Sequence, residues 1–283
     1  MSSKLKILPF DFLKVNGVPL EKRNDEKFDL PLNTCFLKSC KAAIHCIMQY
    51  EGIQRKDEIY ISTTTDSSFV SSCVTSTLFN YGSVTRILSK NTKVIFVIHE
   101  FGFPNENIID LASIAKERNI LLIEDAAHSL NTRFKGSDLG SWGDYFISSL
   151  SKSIPIRNGG VLISRKGGNY FNQFMAFDTR NLFDQFKNQI IGNKEKRVNQ
   201  YKTYQRAFSN YPEVFKFIEG VNPFAFGFVT DKYKEIYCEL EEVQGVEMLR
   251  TYIKNRVVIP LNPYFNKADV FYIINIINNI LDK

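Results

Sequence analysis

Short runs that are apolar at every position alternate along this chain with segments whose apolar residues recur at helical spacing. Val94–Ile98 and Ile120–Ile123 are such runs, typical of strands buried on both faces of a parallel sheet. The intervening segment, Glu106–Arg118, predicts an amphipathic helix. Asn105 can cap its start, and Asn119 can take the left-handed position at its end. Strand, helix and strand in this order predict a right-handed parallel crossover.

Other parts of the chain follow the same two patterns. Ser39–Tyr50 predicts a helix, and Asn266 is placed to cap a last helix with one apolar face. Tyr145–Ile147 and Val161–Ser164 predict two further buried strands. Residues 1–33 carry scattered prolines and no periodic pattern, so we expect an irregular arm packed on the surface.

Acidic and basic side chains follow two of these strands at the point where each ends. Glu124 and Asp125 come after one strand, and the string Ser148–Lys152 comes after another. Ligands gather at the carboxyl ends of parallel strands, so these groups can share one site. A lysine amine can condense with an aldehyde, a carboxylate can keep a pyridinium nitrogen protonated, and serine hydroxyls can bind phosphate. Pyridoxal phosphate needs all three contacts, although helix-capping acids and a solvated serine-lysine loop remain the alternative.

Three motifs, in order, resemble the DegT/DnrJ/EryC1/StrS family of pyridoxal-phosphate-dependent sugar aminotransferases. An H-x-x-G-x-P motif stands at His99–Pro104, and an E-D-A-A-[QH] motif stands at Glu124–His128. Lys152 precedes the pair Gly159-Gly160 by seven residues, as in the family. The resemblance covers the chain from the first predicted helix to the strand after this pair, and it returns at the C-terminus.

The resemblance implies an α/β protein with an aspartate-aminotransferase-like (fold type I) large domain built on a mostly parallel sheet, plus a small α+β C-terminal domain. We expect residues 1–185 to form the cofactor-binding large domain with its N-terminal arm, and residues 186–283 to form the small domain. Asn222–Phe228 resembles the first strand of that small domain, and Val257–Pro260 resembles its last. A strand and a helix of the family are condensed into Val84–Leu88, a departure that bears on the substrate pocket.

The same motifs imply a cofactor site, residue by residue. Lys152 is the expected catalytic residue, which binds the cofactor aldehyde, and Asp125 is expected to pair with the pyridine nitrogen. His128 takes a position near the ring and its hydroxyl. The family's phosphate-binding serine, five residues before the lysine, is Ile147 here, so we expect neighbouring serines to replace it. The remaining expected cofactor-binding residues are Ser39, Cys40 and Lys41 at the start of the first helix, with Ser148 and Ser149.

Three further positions have expected roles around this site. His99 is expected to shape its floor, and Glu124 is expected to make a structural hydrogen bond or salt bridge. Phe69 is a candidate for the aromatic ring that the family places over the cofactor, with a core position as the alternative. The family's G-Y-N-x-R motif, which reaches the partner subunit's cofactor phosphate, is not visible in this sequence.

The resemblance implies transfer of an amino group, with glutamate as the donor, to a nucleotide-linked keto sugar for surface-glycan or related biosynthesis. Lys152 favours transamination, because family members that remove a sugar hydroxyl lack this lysine. A homodimer with the active site near the interface is also implied. Two other functions stay open. One is a lyase or another Schiff-base enzyme acting on an amino acid, whose carboxylate Arg157 or Arg180 could bind; the other is a non-catalytic regulatory or partner-binding protein.

Composition narrows these possibilities. The 283 residues are 44% hydrophobic and 23% charged, typical of a globular protein with a large core. The net charge of +6 can attract a nucleotide, but no arginine-rich arm supports nucleic-acid binding. The five cysteines include no C-x-x-C pair, so we expect reduced thiols and no metal site. No run is long enough to cross a membrane and no signal-peptide pattern is present, so we expect a cytoplasmic protein.

Overall fold

The structure is a computed structural model that describes residues 28–67, 71–167, 170–251 and 253–283. Most of the predicted N-terminal arm and the candidate ring-stacking residue Phe69 lie outside these ranges. The described strands are β1 (Thr34–Leu37), β2 (Glu58–Thr63), β3 (Ser83–Thr85), β4 (Thr92–Ile98), β5 (Leu121–Asp125), β6 (Arg133–Phe134), β7 (Ser137–Asp138), β8 (Tyr145–Ser149), β9 (Gly160–Ser164), β10 (Ala225–Val229) and β11 (Arg256–Pro260). The described α-helices are α1 (Cys40–Tyr50), α2 (Ser72–Phe79), α3 (Ile108–Arg118), α4 (Phe177–Phe186), α5 (Gln189–Ala207), α6 (Tyr233–Cys238) and α7 (Lys267–Leu281).

Seven strands form one sheet in the order β1-β9-β8-β5-β4-β2-β3. The neighbours from β3 to β8 pair in parallel, whereas β9 runs antiparallel to both β8 and β1. The predicted α/β fold with a mostly parallel sheet is therefore confirmed. The carboxyl ends of β2, β4, β5 and β8 meet at one edge, which is where ligands bind in such sheets.

Both faces of this sheet are buried, which explains why its strands read as continuous apolar runs. In β4, Ile95 and Val97 pack with α3 on one face, while Val94 and Phe96 pack with α1 on the other. We call these the α3 face and the α1 face. Successive side chains of a strand point to opposite faces, so each strand residue belongs to one of the two layers.

The helix ends follow the predicted signals in most places. The Ser39 hydroxyl caps α1 by accepting a hydrogen bond from the Ala42 N–H at 3.2 Å. Asn119 ends α3 in the left-handed conformation, as predicted. The start of α3 was predicted too early: the helix begins at Ile108, because the Asn105 side chain accepts from the Asn107 N–H at 3.0 Å in a turn that precedes it.

A second hydrophobic core lies beside the sheet. It contains the antiparallel pair β10–β11 and the buried faces of α5, α6 and α7. Asn266 begins α7 with a complete capping box, as its sequence position predicted. The division of the chain at residues 185 and 186 stays a prediction. No helix among the described residues is both long and apolar enough to span a membrane.

The H-x-x-G-x-P motif joins the two cores. Gly102 has a φ of +94°, which favours glycine, and a Cβ there would overlap the Asn222 carbonyl. Next to it, the Phe224 N–H donates to the Phe101 carbonyl at 2.7 Å. The glycine of the motif is therefore required for the close approach of the segment that leads into β10.

Candidate active site

The adjacent acids at the end of β5 point to opposite faces of the sheet. Glu124 lies on the α3 face, where its carboxylate accepts from the backbone N–H groups of Gly140, Trp142 and Gly143. His99 Nε2 lies 3.2 Å from Glu124 Oε2. Burial alone would raise the pKa of Glu124, but the His99 contact and the backbone donors lower it below its ordinary value. This geometry shows the predicted structural role of Glu124, which is to accept buried hydrogen bonds.

His99 is fixed by its surroundings. Its Nδ1 accepts from the Asn105 N–H at 2.9 Å, so its Nε2 carries the proton that faces Glu124. The imidazole is fully buried, and Asp125 follows Glu124 directly on the neighbouring strand. His99 thus shapes the floor of the carboxyl edge, as expected from the sequence.

Asp125 lies on the α1 face, at the carboxyl end of its strand. One carboxylate oxygen accepts from the Ala127 N–H at 2.9 Å. Burial raises the pKa of Asp125 above its ordinary value, against the lowering effects of that N–H and of the nearby Lys152 charge. Cys40, the first residue of α1, is close enough that the charges of both residues act on its thiol, whose pKa burial raises. Asp125, Cys40 and Lys152 therefore lie close together.

Lys152 lies at the end of a short helical turn, Leu150–Lys152, that follows β8. The Leu150 N–H donates to the Gly159 carbonyl at 3.0 Å, which closes the loop between the lysine and the glycine pair. Burial lowers the pKa of the Lys152 amine, while nearby Cys40 and Asp125 raise it. The net direction is down, so the amine is neutral at a lower pH than a solvated lysine amine.

The Lys152 amine lies 2.7 Å from His128 Nε2. The His128 ring is stacked between Phe101 and Phe224, with centroid distances of 5.4 and 4.7 Å. Burial, followed by the Lys152 charge, lowers the pKa of His128 well below its ordinary value. The imidazole is therefore uncharged near neutral pH, and its Nε2 can accept a hydrogen bond from the amine.

Arg197, from α5, holds the backbone of the loop that carries Lys152. Its Nη2 donates to the Lys152 carbonyl at 2.7 Å, and its Nε donates to the Leu261 carbonyl at 3.3 Å. The guanidinium carbon lies 4.9 Å from the centroid of the Phe224 ring. Burial lowers the pKa of Arg197 to about 10. One buried arginine thus connects the lysine loop, the His128 stack and the second core.

The start of α1 approaches the glycine pair that follows Lys152. A Cβ at Gly160 would lie 2.5 Å from the Ser39 carbonyl carbon and 2.7 Å from the Cys40 nitrogen. Glycine at this position lets β9 run against the first turn of the helix. Helix N-termini favour anions, so this close packing brings a phosphate-compatible helix end beside Lys152.

The structure does not bring every expected cofactor-binding residue to this region. Ser148 lies on the α3 face, and its hydroxyl donates to the Ala126 carbonyl at 2.8 Å. Ser149 lies on the α1 face, like Asp125, and its hydroxyl is 3.2 Å from that of Ser151. Lys41 is exposed on the first turn of α1. Ser39, Cys40 and Ser149 are therefore the better placed of the five.

The two arginines considered for a substrate carboxylate lie elsewhere. Arg157 is exposed. Arg180 is exposed too; its guanidinium lies 6.0 Å from the Phe36 ring on the α3 face, and its Nε is 3.9 Å from Asp184. The contacts of Arg180 lie on the α3 face, away from the Asp125 side of the sheet, so they do not support Arg180 as the carboxylate partner of a lyase.

Sequence reasoning missed the aromatic and basic residues around His128 and Lys152. Phe224 was identified only as part of a strand, and Arg197 was not assigned to the site. A signal existed for Arg197: Asn193, Arg197 and Gln200 are polar residues that share the buried face of α5 at helical spacing. Polar side chains on such a face must find buried partners, here the Ser153, Lys152 and Asn262 carbonyls.

The whole arrangement suits Schiff-base chemistry better than metal chemistry. An amine with a lowered pKa, a proton acceptor at 2.7 Å and a buried carboxylate stand at one sheet edge. All five cysteines are free thiols. In the part of the chain that the structure describes, no group of three or more His, Cys, Asp or Glu side chains is placed to hold a metal ion.

Comparison with known proteins agrees with this chemistry. The GDP-perosamine synthase of Escherichia coli O157:H7 is 27% identical over 139 residues, which are 43% of this chain and 37% of that enzyme. The UDP-4-amino-4,6-dideoxy-N-acetyl-beta-L-altrosamine transaminase of Campylobacter jejuni is 26% identical over 149 residues, 47% of this chain and 39% of that enzyme. The matching part thus spans less than half the length of these curated relatives.

The fold and the sequence profile extend the similarity. NtdA from Bacillus subtilis, solved with bound cofactor PMP, superposes with a TM-score of 0.70 at 14% identity, over 88% of this chain and 73% of that one. This likeness shows a shared fold. The profile of the DegT/DnrJ/EryC1/StrS aminotransferase family matches residues 33–200, more than half of the chain, and includes all three motifs. This chain therefore belongs to the DegT/DnrJ/EryC1/StrS aminotransferase family.

Proposed function

We propose that this chain is a pyridoxal-phosphate-dependent aminotransferase that moves an amino group, from glutamate, onto a nucleotide-linked keto sugar. The observation that carries the proposal is the Lys152 amine, which is partly buried, has a lowered pKa and lies 2.7 Å from an uncharged imidazole. An amine that is easily deprotonated is the nucleophile that an aldehyde requires. Asp125 at the next strand end supplies the carboxylate that a pyridinium requires.

The residues present fit the cofactor. Asp125 is buried without a full counter-charge, so its pKa is raised, and a pyridinium nitrogen would stabilise its ionised form. The first turn of α1, with Ser39 at its start and Gly160 packed against it, would hold the phosphate together with Ser149. When bound, the cofactor supplies an electron sink that stabilises negative charge at the carbon being aminated.

The residues of this chain handle the protons of the reaction. Lys152 would be the group that takes and returns a proton beside the bound cofactor when its amine is free. His128 Nε2 can accept a hydrogen bond from that amine and orient it, because its own ring is uncharged near neutral pH. Phe101 and Phe224 stack on both faces of His128, so the imidazole is held in one plane.

The names of the relatives support the substrate class. One is a GDP-perosamine synthase and another is a transaminase of a UDP-linked amino sugar. We extend to this chain the acceptor class, a nucleotide-linked keto sugar, its use in surface-glycan or related biosynthesis, and glutamate as donor. The net charge of +6 favours an anionic substrate of this kind.

Several features of the working protein are part of the same proposal. We propose a homodimer that acts in the cytoplasm without a membrane or nucleic-acid partner. Within each subunit, residues 1–185 form the large cofactor-binding domain and residues 186–283 form the small one. The second core supports this division into two domains, because its Phe224 stacks on His128 and the neighbouring Arg197 binds the Lys152 carbonyl.

A substrate panel tests the proposed reaction. The cofactor-loaded protein is mixed with glutamate and, separately, with several nucleotide-linked keto sugars, and amino-sugar formation is followed by mass spectrometry. Glutamate-dependent amination of at least one nucleotide-linked keto sugar is the expected result. Turnover of free keto acids alone would point to a different Schiff-base enzyme, and no turnover with any pair would support a non-catalytic protein.

A further inference from the structure

Two arginines lie within electrostatic reach of Glu100, at the sheet edge that also carries Asp125. Arg86 is the residue after β3, and Glu100 follows His99 at the end of β4. Arg256 begins β11 and so comes from the second core. Neither arginine belongs to the motifs that identify the family, and Glu100 occupies a variable position of the H-x-x-G-x-P motif. We call Arg86, Arg256 and Glu100 together the cluster.

The segment after β2 connects these residues. Arg86 Nη2 donates to the Thr63 hydroxyl at 2.9 Å. Glu100 Oε2 accepts from both the N–H and the hydroxyl of Thr65 at 2.7 Å. Arg86 and Glu100 are thus anchored to Thr63 and Thr65, which lie close together at the carboxyl end of β2. The same segment reaches the approach to β11, because the Ser67 hydroxyl donates to the Thr251 carbonyl.

Both arginines keep a donor without a partner. Arg86 Nη1 and Arg256 Nη1 are shielded from solvent, and neither makes a hydrogen bond. Among the described residues, no carboxylate lies within ion-pair distance of either guanidinium. Buried N–H donors are nearly always satisfied in folded proteins, so two such donors in one place call for an explanation. A bound group with several acceptor oxygens would satisfy both.

The local charge balance favours an anion. Burial raises the pKa of Glu100, and the charges of Arg86 and Arg256 are among the effects that oppose it. Burial also lowers the pKa of Arg256. With Glu100 ionised the three side chains carry a net positive charge of one, and with Glu100 protonated they carry two. In either state the cluster retains an uncompensated guanidinium.

The cluster lies within substrate range of Asp125. The strand register aligns Thr63 with Ile98, and Ile98 with Asp125, across two strand spacings. Neighbouring strands are about 4.8 Å apart, so the backbones of Thr63 and Asp125 are roughly 10 Å apart. A ligand that reaches from the Asp125 region across β4 would therefore bring its far end to the arginines.

We propose that Arg86 and Arg256 form an oxyanion-binding site that holds a phosphate or carboxylate group of a substrate. Guanidinium groups bind such groups through paired N–H donors, a geometry that lysine cannot reproduce. The proposal rests on the proposed aminotransferase function, whose substrates carry both kinds of oxyanion: the diphosphate of the nucleotide-linked sugar and the carboxylates of glutamate. The two sources are separated by experiment.

The experiment compares Arg86→Gln, Arg256→Gln and Arg86→Lys with the unaltered protein. UDP is titrated by calorimetry, and the glutamate concentration that half-converts the cofactor absorption is measured separately. Each glutamine variant should weaken the binding of UDP or of glutamate by about tenfold or more, because hydrogen bonds to charged groups are lost. Arg86→Lys should recover only part of the loss. Arg55→Gln, at an exposed position, is the matched control and should change neither value.

The pattern of loss identifies the ligand. A loss confined to UDP assigns the site to the nucleotide diphosphate, and a loss confined to glutamate assigns it to the amino donor. Unchanged binding of both probes in folded glutamine variants overturns the proposal, as does an unaltered protein that binds neither. The UDP titration needs no cofactor, so a protein that fails to bind pyridoxal phosphate refutes the aminotransferase function without deciding the oxyanion site.

Discussion

At the scale of single residues, strand alternation separates the roles of two neighbouring acids. Glu124 faces His99 and three backbone N–H donors, and its pKa is lowered. Asp125 faces α1 and Lys152 with one backbone donor, and its pKa is raised. The first environment stabilises a permanent charge, whereas the second leaves a carboxylate that a cationic ligand can stabilise. Structural and binding functions are thus assigned by which face of the sheet each acid occupies.

Asp125→Asn tests the binding role. The neutral amide cannot stabilise a pyridinium, so the rate at which glutamate converts the cofactor absorption should fall by about a hundredfold or more. The fold should remain intact, since the substitution preserves the shape of the side chain. Asp110→Asn, at an exposed position of α3, is the control. A near-normal rate for Asp125→Asn would show that this carboxylate does not pair with the cofactor ring.

Glu124→Gln tests the structural role. Loss of the buried charge should lower the free energy of unfolding by about 3 kcal/mol, measured by urea denaturation at neutral pH. The lowered pKa means that Glu124 contributes its full stability above the ordinary carboxyl value of about 4.3. That contribution is lost as the pH falls through the folded-state pKa. The difference in free energy of unfolding between the variant and the unaltered protein should therefore become smaller in acid. Glu117→Gln, exposed on α3, should be nearly neutral; a constant gap at all pH values would contradict the assignment.

At the scale of secondary-structure elements, the contact between α1 and β9 forms the proposed phosphate end of the site. The Gly-Gly pair is explained by this contact, because any side chain at Gly160 would collide with the backbone at Ser39 and Cys40. The helix start and the lysine loop are therefore held together by a glycine that touches no ligand. Its role is to permit close packing of two elements that are distant in sequence.

Gly160→Ala should destabilise the protein and weaken cofactor binding together. The new methyl must displace backbone, and overpacking of this kind typically costs about 1–3 kcal/mol. Gly192→Ala is the matched control: it lies inside α5 with no atom within 4 Å of the new Cβ. Alanine should stabilise that helix by about 0.5–1 kcal/mol. Urea denaturation and cofactor titration of both variants measure these opposite changes in stability and the loss of cofactor binding. A Gly160→Ala variant with unchanged stability and cofactor binding would show that this close packing is not required.

The elements were largely predictable, whereas their side-chain registers were not. The succession β4–α3–β5 follows directly from its apolar periods, and Lys152, Asp125 and His128 stand where their motifs placed them. Ser148 and Ser149 could not be distinguished, because a shift of one residue in the start of β8 exchanges the two faces. The late start of α3 had a similar cause, since the Asn105 side chain forms a turn before the helix begins.

At the scale of the whole molecule, the site depends on contacts between two cores. Phe224 and Arg197 come from the second core and reach His128 and the Lys152 carbonyl. Sequence patterns did not predict these contacts, because each joins segments at least 45 residues apart and no local period encodes the partner. The same holds for the approach of Arg86 and Arg256. Local patterns specify the sheet edge, but they do not specify which distant side chains complete the site.

The oligomeric state is a prediction at this scale. The family resemblance implies a homodimer that shares cofactor contacts, and light scattering of the cofactor-loaded protein at micromolar concentration should give twice the mass of one 32.6 kDa chain. Loss of cofactor on dilution, in step with dissociation, should follow if both subunits contact the phosphate. A monomer that retains bound cofactor would show that one chain completes the site.

The central claim is that the Lys152 amine binds the cofactor covalently. A solvated lysine amine has a pKa of about 10.4, and burial lowers that of Lys152, so reaction with pyridoxal phosphate near neutral pH is favoured. The protein is incubated with the cofactor, reduced with borohydride and digested, and the peptides are examined by mass spectrometry. The account predicts a yellow protein, bleached by glutamate, whose reduced cofactor adduct lies on Lys152. Lys152→Ala should lose the adduct and Lys41→Ala should keep it. A colourless protein after excess cofactor, or an adduct unaffected by Lys152→Ala, would contradict the account.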